Sequence, residues 1–406
     1  MEVPSRRELI ERVRALPGAA ALFERLRDES GVHLVGGAVR DVLIGREPRE
    51  LDLVVEGDPA PVAAQLGGSI REHDRFGTST VTVSGRTYDL ARARRETYSH
   101  PGALPDVTPA GLREDLWRRD FSVNAGAIAL AGKRAGELQA VPSMLPDLKA
   151  QQLRVLHDRS FTDDPTRLLR LARYGSRLGF GVEPHTRELV DAALEDEALS
   201  TVSGARLGAE LRLLAREPDP PMALAALRAL GLDRPLGLDA GPESVQLARL
   251  GLALLPDGER ADRVALAAAL QGIDPGALAA QLDELTFSAA DRDVIVAAAT
   301  GAQRLAERLA VAASPSEIAR AVGASPAEMV ALAGALGREA QAREWLEELR
   351  HVRLEIDGHD LLAAGVPPGP AIGRGLSAAL ADKLDGRASG RDQELASAVR
   401  AARGSE

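Results

Sequence analysis

Near residue 150 the chain changes its hydrophobic period, and that change limits the fold more than any single motif does. Before it, short β-branched runs alternate with turns: VHLVGG, LDLVVEG, TSTVTVSG, TYDLAR and AIAL all read as strands. After it, Leu/Ala/Arg segments recur with helical spacing, interrupted by the breakers EPDPP at 217–221 and DPG at 274–276. The front is therefore α/β or α+β and the rear helical. HVRLEIDGHD at 351–360 reads as extended, GVPPGPAIGRG at 365–375 as a turn before another helix, and the remainder as a helical tail. No internal repeat of fixed period is visible. At 406 residues the chain exceeds what one core usually holds, so two or more packed regions are expected. Aromatics supply only 3% of it, which leaves Leu, Ala and Val to build those cores.

There is no cysteine, which excludes disulfides, thiolate-bound zinc and a thiol nucleophile. The N-terminal stretch MEVPSRRELIERVRAL is charged and amphipathic, and no segment approaches membrane-spanning length. The sequence thus predicts a soluble, cytoplasmic protein with no membrane partner. The net charge of −10 is unevenly spread. Residues 1–180 hold 27 Lys+Arg against 25 Asp+Glu, and the remainder 23 against 35. The front half can meet phosphates while the rear stays acidic. Arginine carries almost all the positive charge, which suits bidentate contacts to phosphates and base edges, although a compositional bias of the genome gives the same excess.

In HLVGGAVRDVLIG a buried strand meets two glycines and then a helical segment. Such a turn lets backbone N–H groups approach a triphosphate at a helix N-terminus, and it also serves many junctions with no ligand. Gly36 and Gly37, with Arg40 and Asp41 on the first turns of the helix, are nucleotide-binding candidates. In ELDLVVEG, strand alternation puts Glu50 and Asp52 on one face and Leu51 and Leu53 on the other. Two carboxylates that close repel unless a cation lies between them, and Mg²⁺ prefers carboxylate and phosphate oxygens. Asp89, between Tyr88 and Leu90, is a candidate third carboxylate, and an acid on an exposed edge strand reads equally well. His33, His73, His100 and His157 read as surface or core residues, not as nucleophiles.

The segment GGAVRDVLIGREPRELDLVVEGD resembles the first motif of the class II CCA-adding tRNA nucleotidyltransferases and bacterial poly(A) polymerases. The likeness continues in family order through RFGTSTV (75–81), ARRETYSHPGALPDV (93–107), DLWRRDFSVNA (115–125) and SFTDDPTRLLRLARYGSRLGF (160–180). It continues more weakly through VSGARLGAEL (202–211) and IDGHDLLAAGVPPGPAIGRGL (356–376). The resemblance implies a polymerase-beta-like nucleotidyltransferase head over 1–150, then a helical neck (151–215), body (216–345) and tail (346–406). In RRDFSVNA it implies that Arg119 contacts the nucleotide phosphates and that Asp120 and Asn124 shape the ribose pocket. In DDPTRLLRLARYGSRLGF, Arg167, Arg170, Arg173 and Arg177 fall on one helical stripe, with Pro165 in the first turn and Asp163 or Asp164 as cap. A capped amphipathic helix with its arginines in water fits that pattern as well. The resemblance assigns Asp164 and Arg167 to the Watson–Crick edge of the incoming base, and Arg170 and Arg173 to its phosphates or to holding the neck in register.

Two departures from the family pattern stand out. Glu50 replaces the first of two usual aspartates, one methylene longer beside a metal that tolerates little geometric error. AVPSMLPDLKAQQLRVLHD lacks the usual Asp-Pro and glycine pair, keeping only Pro142, Asp147 and Leu148. The switch between C- and A-addition is then without its usual glycines. The function implied is template-independent extension of a tRNA 3′ end from ATP and/or CTP, dependent on Mg²⁺ at Glu50 and Asp52, with Asp89 as a further catalytic carboxylate. RRETYSHPGALPDV is long enough to hold the flexible loop that CC-only enzymes tend to lack, which favours A-adding or full CCA activity. A poly(A) polymerase is the alternative within the family, argued against by the acidic rear, and a non-catalytic RNA-binding relative is the alternative outside it.

Overall fold

Two short helices, α1 (Arg6–Arg14) and α2 (Ala19–Arg25), precede β1 (Val32–Val35), a strand buried at all four positions. The computed structural model describes residues 4–27, 29–73 and 78–404. Arg75, Phe76 and Gly77 of the RFGTSTV segment, and the side chain of His73, lie outside that description. The chain divides into two compact units, Met1–Ser203 and Gly204–Glu406. Residues 151–203 therefore belong to the same compact unit as the strands.

In the first unit, β1 turns through Gly36 into α3 (Gly37–Leu43), and β2 (Leu51–Val55) and α4 (Pro59–Leu66) follow. Asp58 caps α4, its side chain accepting from Ala60 N, and Pro59 occupies the first turn, where its missing N–H costs nothing. Next come β3 (Ser69–His73), β4 (Thr78–Val83) and β5 (Arg86–Arg92), then a hairpin of β6 (Arg94–Thr97) and β7 (Asp106–Pro109). Helix α5 (Leu112–Trp117), β8 (Gly126–Ala129), β9 (Leu138–Ala140) and α6 (Met144–Ala150) close the front segment. One seven-stranded sheet runs β3-β4-β5-β2-β1-β8-β9. Only the β2–β5 pair is parallel, and its register sets Asp52 beside Asp89. β5 is interior to the sheet, which overturns the edge-strand reading of Asp89.

The fold is thus α+β in front and helical behind, as the change of period predicts. The five runs read as strands form β1, β2, β4, β5 and β8; β3, β6 and β7 resemble loop composition in their polar alternation, and the three residues of β9 are too few to show a period, so none of these four is predicted. Beyond α6 the first unit continues through β10 (Gln152–Leu153), α7 (Ser160–Asp163), α8 (Thr166–Leu178), β11 (Gly181–Val182) and α9 (Pro184–Glu195). β10 pairs with β11 in parallel, so the chain that leaves α8 returns beside the segment that precedes α7.

All regular elements described in the second unit are helical, from Gly204–Ala215 to Arg391–Arg403. HVRLEIDGHD is not a strand: Asp357 and Asp360 form a capping box that starts the helix Gly358–Ala363 inside it. The helices that follow, Pro370–Leu384 and Arg391–Arg403, agree with the expected turn and helical tail. Ile356, Leu361, Val366, Ala379 and Ala398 bury a small core there, beside Glu394, which accepts from Lys383 Nζ at 2.6 Å.

At the turn into α3, Gly36 has φ +69° and ψ −134°. A Cβ there would lie 2.9 Å from Arg119 Nη1. Gly36→Ala combines a backbone region nearly closed to other residues with a clash, and is expected to destabilise the fold by about 1–3 kcal/mol. Thermal unfolding measures this, and an unchanged Tm would show that the turn relaxes.

Candidate nucleotide-binding site

Asp115 is fully buried on α5 and anchors the next turn of chain. Its Oδ1 accepts from Arg118 Nε at 2.9 Å and Nη2 at 2.7 Å, and its Oδ2 from Arg119 Nη2 at 2.9 Å. Burial alone would raise this carboxyl, but Arg119 and Arg118 outweigh it and hold the acid below its ordinary value. The spacing of the three residues along DLWRR makes this possible, because i, i+3 and i+4 share a helix face.

A second chain of contacts runs beneath the glycine turn. Arg40 is 2% exposed; its Nε donates to Asp41 Oδ1 at 2.8 Å and its Nη1 to Asn124 Oδ1 at 2.6 Å. Asn124 Nδ2 donates to Asp120 Oδ1 at 3.0 Å, and Asp120 Oδ2 accepts from Arg170 Nε at 3.0 Å and Nη2 at 2.5 Å. Burial opposes ionisation of Asp120, yet Arg170, the Asn124 hydrogen bond and Arg167 hold its acid far below the usual carboxylate range. Asp120 is therefore a permanent anion at neutral pH.

Helix α8 contributes the opposite wall. Asp164 accepts from Thr166 N at 3.1 Å and Thr166 Oγ1 at 2.6 Å, filling a free donor of the first turn of this helix, whose N-cap is Pro165 and not the expected aspartate. Asp163 instead ends α7 and pairs with Arg159. The stripe of arginines is not simply solvated, because Arg167 and Arg173 are buried. Arg167 Nη1 donates to Ser160 Oγ at 2.7 Å and its Nη2 to the Arg118 carbonyl at 2.8 Å. Tyr174 gathers the others: the guanidinium carbons of Arg40, Arg170, Arg173 and Arg177 lie 5.6, 5.8, 5.0 and 5.6 Å from its ring centroid.

These elements enclose a cavity of about 300 Å³. Of the residues expected from sequence, Gly36, Gly37 and Asp52 line one side. Arg119, Asp120 and Asn124 line the floor segment, and Asp164, Arg167 and Arg170 the helix side. Arg40, Asp41, Glu50, Asp89 and Arg173 are not on its wall. Arg40 lies behind the wall because its guanidinium is consumed in orienting Asn124, and Arg173 because it packs against Tyr174. Sequence reasoning missed Glu96, Tyr98, Pro105, Arg118 and Tyr174, which also line the cavity. Glu96 and Tyr98 alternate in RRETYS at the end of β6, a pattern that puts them on one face; nothing in the sequence singled out Pro105 or Tyr174. His33 is a core residue on β1, and burial lowers its pKa.

Asp52 reaches the cavity from β2, while Glu50 stands one residue ahead of the strand and Asp89 is exposed on β5. Thr80 Oγ1 donates to Asp89 Oδ1 at 2.7 Å. Burial, then the charges of Glu50 and Asp89, push the Asp52 carboxyl up to about 6, against a smaller opposing effect of Arg119. An all-oxygen, anionic donor set in which burial and the charges of Glu50 and Asp89 raise the Asp52 carboxyl is what a divalent cation would relieve. Among the described residues no three His, Asp or Glu side chains converge enough to hold an ion by themselves. Mg²⁺ takes one or two carboxylates and completes its shell with phosphate oxygens and water. The segment that departs from the family pattern forms an ordered helix, α6, whose Asp147 is buried and accepts from Ser122 Oγ at 2.6 Å and Arg154 Nε at 3.0 Å.

Holding a carboxyl at about 6 when its ordinary value is 3.8 costs the folded state on the order of 3 kcal/mol once it is ionised. Because the folded value is the raised one, the cost is full above about pH 6 and disappears as pH falls toward 4. Asp52→Asn should therefore be the more stable protein at about pH 8 in chelator, with the difference shrinking toward pH 4. Thermal unfolding across that range checks it, and an Asn variant less stable than the native chain at high pH would contradict the electrostatic account.

Residues 32–154 match the poly(A) polymerase head domain. The chain is 32% identical to an A-adding tRNA nucleotidyltransferase of Geobacter sulfurreducens over 92% of its own length, but it spans only 45% of that relative's. It is 34% identical to a CC-adding tRNA nucleotidyltransferase of Deinococcus radiodurans, covering 92% of this chain and 90% of the relative. Among solved structures, an apo CCA-adding enzyme superposes with a TM-score of 0.81 at 27% identity, covering 96% of this chain and 97% of the other. The Thermotoga maritima CCA-adding enzyme complexed with tRNA superposes at 0.77 and 26% identity, covering 98% and 99%. With the head domain matched and a relative aligned over nearly its whole length, the chain belongs to the class II family of CCA-, A- and CC-adding tRNA nucleotidyltransferases.

Proposed function

We propose that the protein adds A and/or C residues from ATP and/or CTP to the 3′ end of tRNA without a nucleic-acid template, releasing pyrophosphate. The observation that carries this reading is one cavity with Asp52 on one side, a guanidinium pair balanced on a buried carboxylate at its floor, and Asp164 with Arg167 opposite. A nucleoside triphosphate matches these three chemistries. Arg119 and Arg118, fixed by Asp115, meet its phosphates. Asp120, kept anionic, accepts from a ribose hydroxyl, with Asn124 held beside it by Arg40. Arg167 has two N–H groups committed to Ser160 and to the Arg118 carbonyl, which fixes the plane in which its remaining donors meet a base edge. Asp164, tied by Thr166, presents a carboxylate to the amino group of cytosine or adenine.

Asp52 and Glu50 are the residues that would hold Mg²⁺, which when bound would favour the ionised 3′-hydroxyl and neutralise the departing pyrophosphate. Asp89, the register neighbour of Asp52, would act through that site's charge rather than from the cavity wall. Within this scheme the strand-bearing head runs to about residue 150 and the helical neck, body and tail follow. Tyr98 and Pro105 bring both ends of the β6–β7 loop to the cavity. A loop of that placement supports A-adding or full CCA activity over CC-addition alone, while the relatives above include both kinds.

Purified protein incubated with tRNA transcripts ending in the discriminator base, in C or in CC, with one labelled nucleotide at a time, should extend at least one of them. Failure on all three would remove the enzymatic reading, and long oligo(A) on unrelated RNA would replace it with poly(A) synthesis. Arg167→Ala should weaken discrimination against UTP and GTP by about 10- to 100-fold in kcat/KM. Unchanged selectivity would count against base reading by this residue.

A further inference from the structure

Beside the nucleotide cavity is a second one of about 470 Å³, and the two share Glu96, Tyr98, Arg118 and Arg167 as a common wall. Its outer sides carry Trp117, His157, Arg95 and Arg159. Trp117 is the last residue of α5 and is 43% exposed, one of only two tryptophans in an aromatic-poor chain. Its helix neighbours Asp115 and Leu116 are buried, so the turn that sets Asp115 beneath the two arginines also delivers the indole to the second cavity. Arg95 and Arg159 keep 61% and 71% of their side chains exposed, in ion pairs of 3.7 Å with Glu114 and 2.9 Å with Asp163. Exposed pairs of this kind are weak, so either guanidinium can turn to a phosphate at little cost.

An occupant of this cavity needs a planar face for the indole, anionic groups for the two arginines, and a reactive end that reaches the shared wall. A single-stranded RNA 3′ end has all three. A second nucleoside triphosphate has the first two, but only the acceptor strand must place its terminal hydroxyl beside the incoming nucleotide. We propose that Trp117 is the stacking platform for the 3′-terminal base of the acceptor RNA, with Arg95 and Arg159 on the phosphates behind it. This rests on the 3′-end extension reading above and adds a positioning residue for the RNA, distinct from those that select the nucleotide.

Trp345→Phe leaves Trp117 as the only indole, whose fluorescence then reports occupancy without any turnover. Quenching is expected with a tRNA transcript ending in CC, and not with ATP or CTP alone or with the same transcript lacking its single-stranded 3′ end. Trp117→Ala should raise KM for tRNA about 10- to 100-fold while KM for the nucleotide stays as it was, and Trp117→Phe should restore most of the loss. Quenching by nucleotide alone, equal quenching by the truncated transcript, or an unchanged tRNA KM in a folded Ala variant would each overturn the assignment. Should the Ala variant fail to fold, the Phe variant and the fluorescence titration decide alone. RNA-dependent quenching in a protein that incorporates nothing would uphold the platform and remove the catalytic reading; normal extension indifferent to Trp117 would do the reverse.

Discussion

A buried carboxylate, Asp120, joins three parts of the first unit that are distant in sequence. Through Asn124 and Arg40 it holds the helix behind the glycine turn, and through Arg170 it holds α8. A carboxylate this far from water is tolerated only when its charge is matched and its lone pairs are filled, and breaking such a pair typically costs about 3–5 kcal/mol. Each partner is therefore constrained by the same anion. The glycine turn and α8 are held to one another through it.

Asp115 performs the parallel task for Arg118 and Arg119. Two adjacent arginines would repel and splay into solvent; a common buried counter-ion holds them as one preorganised cationic surface. Tyr174 completes the arrangement by offering one ring to four guanidiniums, three of them from α8 itself. On the function proposed above, such a surface would need little reorganisation to meet a polyphosphate. Against it stands Asp52, a carboxyl at the cavity whose ionisation the fold resists. The site thus stores an excess of negative charge at the strand end and of positive charge at the floor, a polarity suited to a metal on one side of a triphosphate and arginines on the other.

Much of this was legible in the residues. Short β-branched and apolar runs between turns marked β1, β2, β4, β5 and β8, and the ordered motifs pointed to residues that line the cavity, from Gly36 to Arg170. Arg40 was read as a nucleotide contact because its place on the first turns of α3 is all that local spacing reveals; its guanidinium is instead spent on Asn124. Asp89 stays open in the sequence between a third site carboxylate and an acid on an edge strand, because the partner of a strand is set by register, which is nonlocal. Glu96, Tyr98 and Tyr174 went unremarked for the same reason. Their importance lies in which cavity they face, and facing depends on how a hairpin and a helix meet.

The sequence by itself determined where the strands give way to helices, the glycine turn, the acidic pair Glu50 and Asp52, the RRD segment and the arginine stripe, since each is a matter of residue type and short-range period. Only the tertiary structure decided which charges are buried. Asp115 and Asp120 look no different in sequence from any surface aspartate, and Arg40 no different from Arg46. Burial of a charge is set by the packing of segments many residues apart, and the packing chose the partners that make each of those charges permanent.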